Sequence, residues 1–355
     1  MIEIAPIPLP DRLGTPAARP FEAYAALAEA LEVEQLGTAD VSYSARELLT
    51  FARGRRYTVR EAIGAWDGDR LVGVADLEWE QDPQATTAFS VAFGVVPDRR
   101  REGIGTSLLR ALEARATAVG RPSLVLMGAH AIDDGAGERI RAPQGDASLA
   151  AASASVRFAR SQRYELGQLD RMSALDVAGR EGEFRARDAA AMRDDGYRIA
   201  LWQDGAPDDL VDSLANAHQR MSVDAPAGAI SYEEEVWDAG RVRAEEAQAL
   251  DAGRTMLTAA AVTPTGEVAG YTRLSLPPGK TAVYQDDTLV LGPHRGHGLG
   301  LRMKLANLVA LADAAPERRR VYTWNADENA HMLAINIALG FEPVAIESAW
   351  QRPRP

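Results

Sequence analysis

Two periods alternate along this chain, one of two residues and one of three to four. Residues 2–9 alternate between prolines and read as an edge strand, and 20–36 place Tyr24, Leu27 and Leu31 at helical spacing. Ser44 opens a second short helix, with Glu47 three residues on as a capping box. Residues 57–66 and 71–79 read as strands joined by the turn Asp67-Gly68-Asp69, and 88–96 as a third strand. A helix follows with Ile104, Leu108, Leu112, Ala116 and Val119 on one face, ending at Gly120, and then a strand over 123–127. Residues 128–145 read as a long loop, 147–162 as a helix and 164–175 as a closing strand or strand pair. Residues 178–193 are charged and alanine-rich and read as a linker helix.

The same order then repeats. A strand over 197–202 precedes helices over 207–221 and 232–253, and strands over 255–262 and 268–276 flank the turn Thr265-Gly266-Glu267. The strand 281–291 leads to a helix carrying Leu301, Leu305, Leu308, Val309 and Ala312, then strand 320–324, helix 329–339 and strand 344–350. The order predicts an α/β protein of two tandem domains, each a mixed, mostly antiparallel sheet flanked by helices. The expected division is 1–180, a linker helix at 181–194, and 195–355.

The third strand of each half runs into a glycine-rich turn that opens directly into a helix. The turns are Arg100-Arg101-Glu102-Gly103-Ile104-Gly105 and Arg295-Gly296-His297-Gly298-Leu299-Gly300, both of the form R-x-x-G-x-G, and they lie 195 residues apart. Unpaired N–H groups at a helix N-terminus, together with the helix dipole, favour a phosphate there.

Composition narrows the remaining possibilities. Hydrophobic residues at 46% and charged residues at 25% suit a globular chain, and no apolar run is long enough to cross a membrane. The start has no secretory pattern, and the absence of cysteine excludes disulfides, thiolate metal sites and cysteine nucleophiles, so a cytoplasmic setting is expected. A net charge of −12 argues against nucleic acid as partner and suits a cationic substrate such as an amine, or solubility alone. Among His130, His218, His294, His297 and His331 no two stand at H-x-x-x-H spacing, and no metal is expected.

The turn Arg295 to Gly300, followed by Trp324-Asn325 and by Asn329 through Asn336 to Gly340-Phe341, resembles the GNAT family of acyl-CoA-dependent N-acyltransferases. In that family's later motif an asparagine starts a helix that ends in Leu-Gly-Phe. The first half matches in its turn but has Arg163 where the glycine should be and Ala152 where the asparagine should be. The whole chain is similar to the two-domain GNAT proteins of actinobacteria, such as the mycothiol synthase type.

The resemblance implies an acetyltransferase that moves an acetyl group from acetyl-CoA to a small amine by direct attack, with the second half catalytic. It implies that the cosubstrate is held by Leu289, Val290, Leu291, Arg295, Gly296, His297, Gly298, Leu299, Gly300 and Asn329. Backbone groups of Leu289 and Leu291 would pair with the pantetheine arm. The first half could hold a second acyl-CoA through Val95, Arg100, Arg101, Gly103, Ile104, Gly105 and Thr106. The tyrosine that many members use as general acid is replaced by Asn336 in one half and Ala159 in the other. Candidate bases are Tyr284, Asp286 and Asp287; alternation puts Tyr284 and Asp286 on one face and Asp287 on the other, unless a bulge intervenes. An acyl-CoA-binding sensor or scaffold without catalysis is the alternative. The acidic stretch Tyr232-Glu233-Glu234-Glu235-Val236-Trp237 reads as a helix start, either bordering an acceptor pocket or merely suiting the dipole.

Overall fold

The computed structural model describes residues 1–352 apart from 55, 134, 225, 231 and 232, so Tyr232 lies outside the described residues. The first half runs β1 (Ile2–Pro6), α1 (Arg19–Leu36), α2 (Ala45–Arg53), β2 (Thr58–Asp67), β3 (Arg70–Glu80), β4 (Thr87–Ser90), β5 (Phe93–Val95), α3 (Ile104–Ala118) and β6 (Ser123–Ala131). It continues with a short pair, β7 (Arg139–Arg141) and β8 (Ser148–Ala150), then α4 (Ala154–Ser161) and β9 (Glu165–Asp176). Helix α5 (Glu181–Ala191) leads into β10 (Arg198–Gln203), α6 (Val211–Asp224), α7 (Ala239–Asp251), β11 (Thr255–Val262), β12 (Val268–Leu276) and β13 (Ala282–Val290). The chain ends with α8 (Leu299–Ala314), β14 (Arg320–Ala326), α9 (Ala330–Leu339) and β15 (Glu342–Gln351).

Thirteen strands form one sheet in the order β1-β2-β3-β4-β6-β15-β9-β14-β13-β12-β11-β10, with β5 paired to β3. The closing strands are exchanged. The first half's β9 pairs with β14 of the second half, and the second half's β15 pairs with β6 of the first. The two closing strands also pair with each other, antiparallel, at the centre of the sheet. Each half therefore depends on the other for ladder hydrogen bonds, and a cut after residue 180 does not yield a complete sheet on either side.

Helices cover both faces. In the first half α3 lays Leu108 and Leu112, both fully buried, against Leu77 and Leu126. Burying each such side chain contributes about 2 kcal/mol. On the opposite face α1 and α2 bring Phe21, Tyr24, Leu31 and Leu49 against Val74. In the second half α8 packs Leu305 and Leu308 on Leu257 and Leu274, while α6 and α7 pack Leu214 and Val242 on Tyr271. The capping box at Ser44 and Glu47 is formed in both directions. Helix α5 is anchored by Phe184, which is buried in the core under α8.

The loop expected over 128–145 holds the end of β6 and all of β7, and three further segments differ from the pattern-based reading because a side chain captures the backbone. The strand expected over 88–96 is broken into β4 and β5, because the Asp76 carboxylate accepts the N–H groups of Val91 and Ala92 at 2.8 Å each. The helix expected over 147–162 begins only after Ser153, whose hydroxyl accepts from Val156 N–H. Ahead of it, Asp327 of the second half takes the N–H groups of Asp146 and Ala147 and an Arg171 N–H, and β8 zips onto β7. The helix expected over 232–253 begins at Ala239, where Asp238 caps Arg241 N–H at 2.7 Å. Glu233 is drawn instead to Thr86 and Thr87 of the first half, and Glu235 to Trp237 and Arg241.

Candidate functional site

The parallel strands β13 and β14 pair only over Ala282–Gln285 and Arg320–Thr323, then diverge ahead of the second glycine turn. The same divergence occurs in the first half, where β4 and β6 pair only over Thr87–Ser90 and Ser123–Leu126. A gap between diverging strands leaves backbone donors without a neighbour, and an extended ligand can occupy it like an added strand. On β13, Leu291 N–H is spent on Ala269 O at 2.9 Å, which corrects the expectation that it would face a ligand. Two-residue alternation turns Leu289 towards β12 as well, and turns Val290 N–H to the side that β14 has left.

At the end of β13 the chain makes the second turn. Gly296 and Gly298 stand at φ of 86° and 69°, and Gly298 forms the N-cap of α8 with no side-chain cap. The first N–H groups of α8, from Leu299 and Gly300 onward, are thus left for an outside acceptor. Gly300 sits close to α9, where a Cβ would meet the Ile335 side chain at 3.3 Å and press it back by a few tenths of an ångström. Arg295 folds its exposed side chain back on the turn: Nε donates to Val290 O at 3.0 Å and Nη2 to Asp224 at 3.0 Å. The guanidinium braces the turn against its strand. His297 contributes only backbone to the turn, its ring tilting against Tyr197 at 5.2 Å.

The first turn has the same shape with different residues. Arg100 Nε donates to Val95 O at 2.9 Å and its other nitrogens pair with Glu34. Gly103, φ 82°, caps α3 without a side-chain bond. Arg101 occupies the place of Gly296 at φ 70°, a strained conformation for a side chain, and Arg163 occupies the place of Gly340 at φ 63°. The backbone path is thus retained where the glycine is not. Ile104 is buried behind this turn, and Gly105 and Thr106 are half-buried on the first turn of α3. Beside Gly105 the rings of Phe93 and Phe158 stack at 5.5 Å, at the positions where the second half has Thr288 and Ile335.

The acidic candidates lie just before the gap. Thr288 pairs with Thr272 and Gln285 with Leu274, so Asp286 and Asp287 both stand opposite Arg273, with the extra residue forming a bulge. Simple alternation would have sent the two carboxylates to opposite faces. The bulge brings both to one cavity of about 560 Å³, and to within 3.8 and 3.6 Å of the Arg273 guanidinium. Glu245 of α7 joins the same guanidinium at 3.2 Å. Burial raises the Asp286 pKa to about 6; Arg273 pulls it down but does not cancel the burial.

Tyr284 does not face this cavity. Its ring is buried against Trp324 at 6.0 Å and its hydroxyl donates to Asp40 O at 2.9 Å, while burial raises its pKa. A phenol so held does not serve as a base. Asn329 uses its side-chain oxygen to cap α9 at Met332 N–H. It also lines a second cavity of about 270 Å³ with Trp324, Asn325 and Ala326, under the gap. Met221 and Ser222 line both cavities, which makes them neighbours. Asn336, at the expected acid's place, is buried and donates to Asn325 at 2.5 Å.

The larger cavity also holds residues that sequence reasoning passed over. His218 of α6 stacks on Trp237 at 4.5 Å, and its Nδ1 lies 3.1 Å from the Tyr271 hydroxyl, which in turn donates to Asp287 at 3.0 Å. The signal was there: His218 falls four residues after Leu214 on the apolar stripe of α6, where an ionisable ring is out of place.

Comparison with known proteins agrees with this architecture. Residues 25–134 match the model of the Acetyltransferase (GNAT) family. No curated protein matches the chain in sequence. Across its full length and that of its counterpart, the chain is similar to the structure of a tandem GNAT protein from the clavulanic acid biosynthesis pathway, at 25% identity and a TM-score of 0.76. A GCN5-related N-acetyltransferase from Sphaerobacter thermophilus aligns over 98% of both chains at 16% identity and a TM-score of 0.59. A glucosamine N-acetyltransferase region of a fungal multi-domain β-N-acetylglucosaminidase aligns over 99% of this chain and 38% of that one, at 12% identity and a TM-score of 0.61. The chain therefore has the tandem GNAT fold, and residues 25–134 of its first half match the GNAT family model.

Proposed function

We propose that this protein is an N-acyltransferase that passes an acetyl group from acetyl-CoA to a small amine, with the second half as the catalytic one. The observation that carries the reading is the continuity of three features on that half. An uncapped helix N-terminus with two glycines in the left-handed region stands at one end of the gap. The gap between β13 and β14 follows, and a cavity walled by Asp286 and Asp287 adjoins it. The amides at the start of α8 would hold the pyrophosphate and Val290 N–H would face the arm. The bound thioester supplies an activated acyl carbon. The chain's own role is to seat the amine, strip it of water and polarise the carbonyl.

Acetyl-CoA incubated with a panel of polyamines, aminosugars and amino-acid amides tests this through release of free thiol. Release with one class of amine is the expected result. Binding of acetyl-CoA without release from any amine would favour the non-catalytic sensor instead.

A second reading has one observation behind it. The family model matches residues 25–134, in the first half, so that half could bind acyl-CoA as well. Against its being the catalytic half stand the Phe93–Phe158 stack beside its turn and the strained Arg101 within it.

A further inference from the structure

We infer that His218, held by Asp287 through the Tyr271 hydroxyl, takes the proton that the attacking amine must lose. The inference rests on the acyltransferase reading above and names the group that moves the proton.

The hydrogen-bond chain fixes the ring's tautomer. The Tyr271 hydroxyl has one proton and two close partners, Asp287 Oδ2 at 3.0 Å and His218 Nδ1 at 3.1 Å. An ionised carboxylate only accepts, so the hydroxyl donates to Asp287 and His218 Nδ1–H donates to the hydroxyl oxygen. The lone pair is then on Nε2, which has no hydrogen-bond partner among the described residues. Trp237 stacks on the ring at 4.5 Å with an interplanar angle of 17°, which fixes its plane. His218 is only 5% exposed, yet it lines the 560 Å³ cavity that Asp286 and Asp287 wall. An oriented ring that lines the cavity and keeps one nitrogen without a partner among the described residues is arranged to accept a proton there.

The surroundings set the charge of the ring. The titratable groups around the ring are Tyr271 and Arg273 of β12, Asp287 of β13, and Arg241 and Glu245 of α7. Burial, chiefly, lowers the His218 pKa to about 4, which keeps the ring neutral with its lone pair free at neutral pH but makes it a weaker base, so its placement rather than its basicity carries the step. Asp286, Asp287 and Glu245 share the Arg273 guanidinium, which leaves the wall acidic and favours an amine with cationic character.

In the step itself the amine nitrogen forms a bond to the acyl carbon and becomes positively charged, while the carbonyl π pair moves onto oxygen. The amine proton passes to His218 Nε2. The oxygen pair re-forms the carbonyl as the carbon–sulfur bond breaks with its electron pair on sulfur, and the thiolate takes up the proton from the imidazolium. Amide and free thiol are the products, and the ring ends neutral.

The test is thiol release by the full chain with acetyl-CoA and the same amine panel, between pH 6 and 9.5. His218→Asn is expected to lower kcat by about 100-fold at pH 7, the usual contribution of a positioned base. The KM for acetyl-CoA should stay within about twofold, and the deficit should shrink as pH rises and hydroxide replaces the missing base. Tyr271→Phe keeps the ring and cuts the link to Asp287. It should lose about tenfold in kcat, and it carries the test if His218→Asn melts early. An active wild type with both variants within about threefold of it at every pH overturns the proposal and leaves the acyltransferase reading intact. A wild type that binds acetyl-CoA and acetylates no amine overturns both.

Discussion

Lys304 offers a direct test of the energetics of α8. Its side chain is 1% exposed, and the Phe341 ring lies 5.8 Å from its ammonium. No carboxylate pairs with it among the described residues. Burial lowers its pKa from 10.5 to about 7. The corresponding residue of the first half, 195 positions earlier, is Leu109, equally buried. Between pH 7 and 10.5 the unfolded chain carries a proton that the folded chain lacks, so stability rises with pH across that window. Below pH 7 the whole penalty is present, and above 10.5 it is gone. The gap between 10.5 and about 7 corresponds to roughly 5 kcal/mol at ~1.4 kcal/mol for each tenfold step in acidity, an upper bound that water penetration would reduce. Lys304→Leu should therefore stabilise the protein by several kcal/mol near pH 6.5 and by little near pH 10. Urea unfolding at half-unit intervals of pH measures this. A variant no more stable than wild type at pH 6.5, or one that keeps the wild-type slope above pH 7, would refute the reasoning.

Two further outcomes follow from the same structure. Asp286, with its pKa raised from 3.8 to about 6, costs stability that appears as pH rises through that interval and is fully present above 6. Asp286 keeps one side open to solvent, which screens the charge, so Asp286→Asn should gain about 1 kcal/mol at pH 7.5 in urea unfolding and raise the KM for a cationic amine; a loss of stability at pH 7.5 would contradict the assignment. Because β9 and β15 are exchanged, residues 1–180 or 195–355 made alone should lack cooperative thermal unfolding, and co-expression should restore it. A cooperative melt by either piece alone would show that the exchange is dispensable.

Much of this was legible before the structure. The glycine turns, the capping box at Ser44 and the helix stripes are local patterns, and local patterns fix local structure. The order of strands was legible only within each half. Alternation tells which face a residue takes but not which strand lies beside it, so nothing in 165–176 or 342–351 disclosed that the closing strands cross over. The pairing of Asp286 with Asp287 on one cavity failed for the same reason: a bulge belongs to the ladder between β12 and β13, and alternation along β13 alone splits the two residues. Tyr284 looked like a base in the strand, yet its hydroxyl is spent on Asp40 O, a contact 244 residues away in the chain. Arg295 stood among the expected cosubstrate-binding residues, and its side chain is bonded to Val290 O as a brace. The helices expected at 147–162 and 232–253 were shortened by carboxylates that capture backbone or bridge the halves, and composition does not reveal such bonds.

The central claim is that the second turn holds the acetyl-CoA that reacts. Gly298→Asp and Gly103→Asp make matched substitutions, since aspartate accepts positive φ more readily than most residues and brings a negative charge to where phosphate would lie. Thiol release from acetyl-CoA with the best amine should fall by about 100-fold or more in Gly298→Asp and stay within about threefold of wild type in Gly103→Asp. Loss of turnover in Gly103→Asp, with Gly298→Asp unaffected, would place the reaction in the first half and contradict the account.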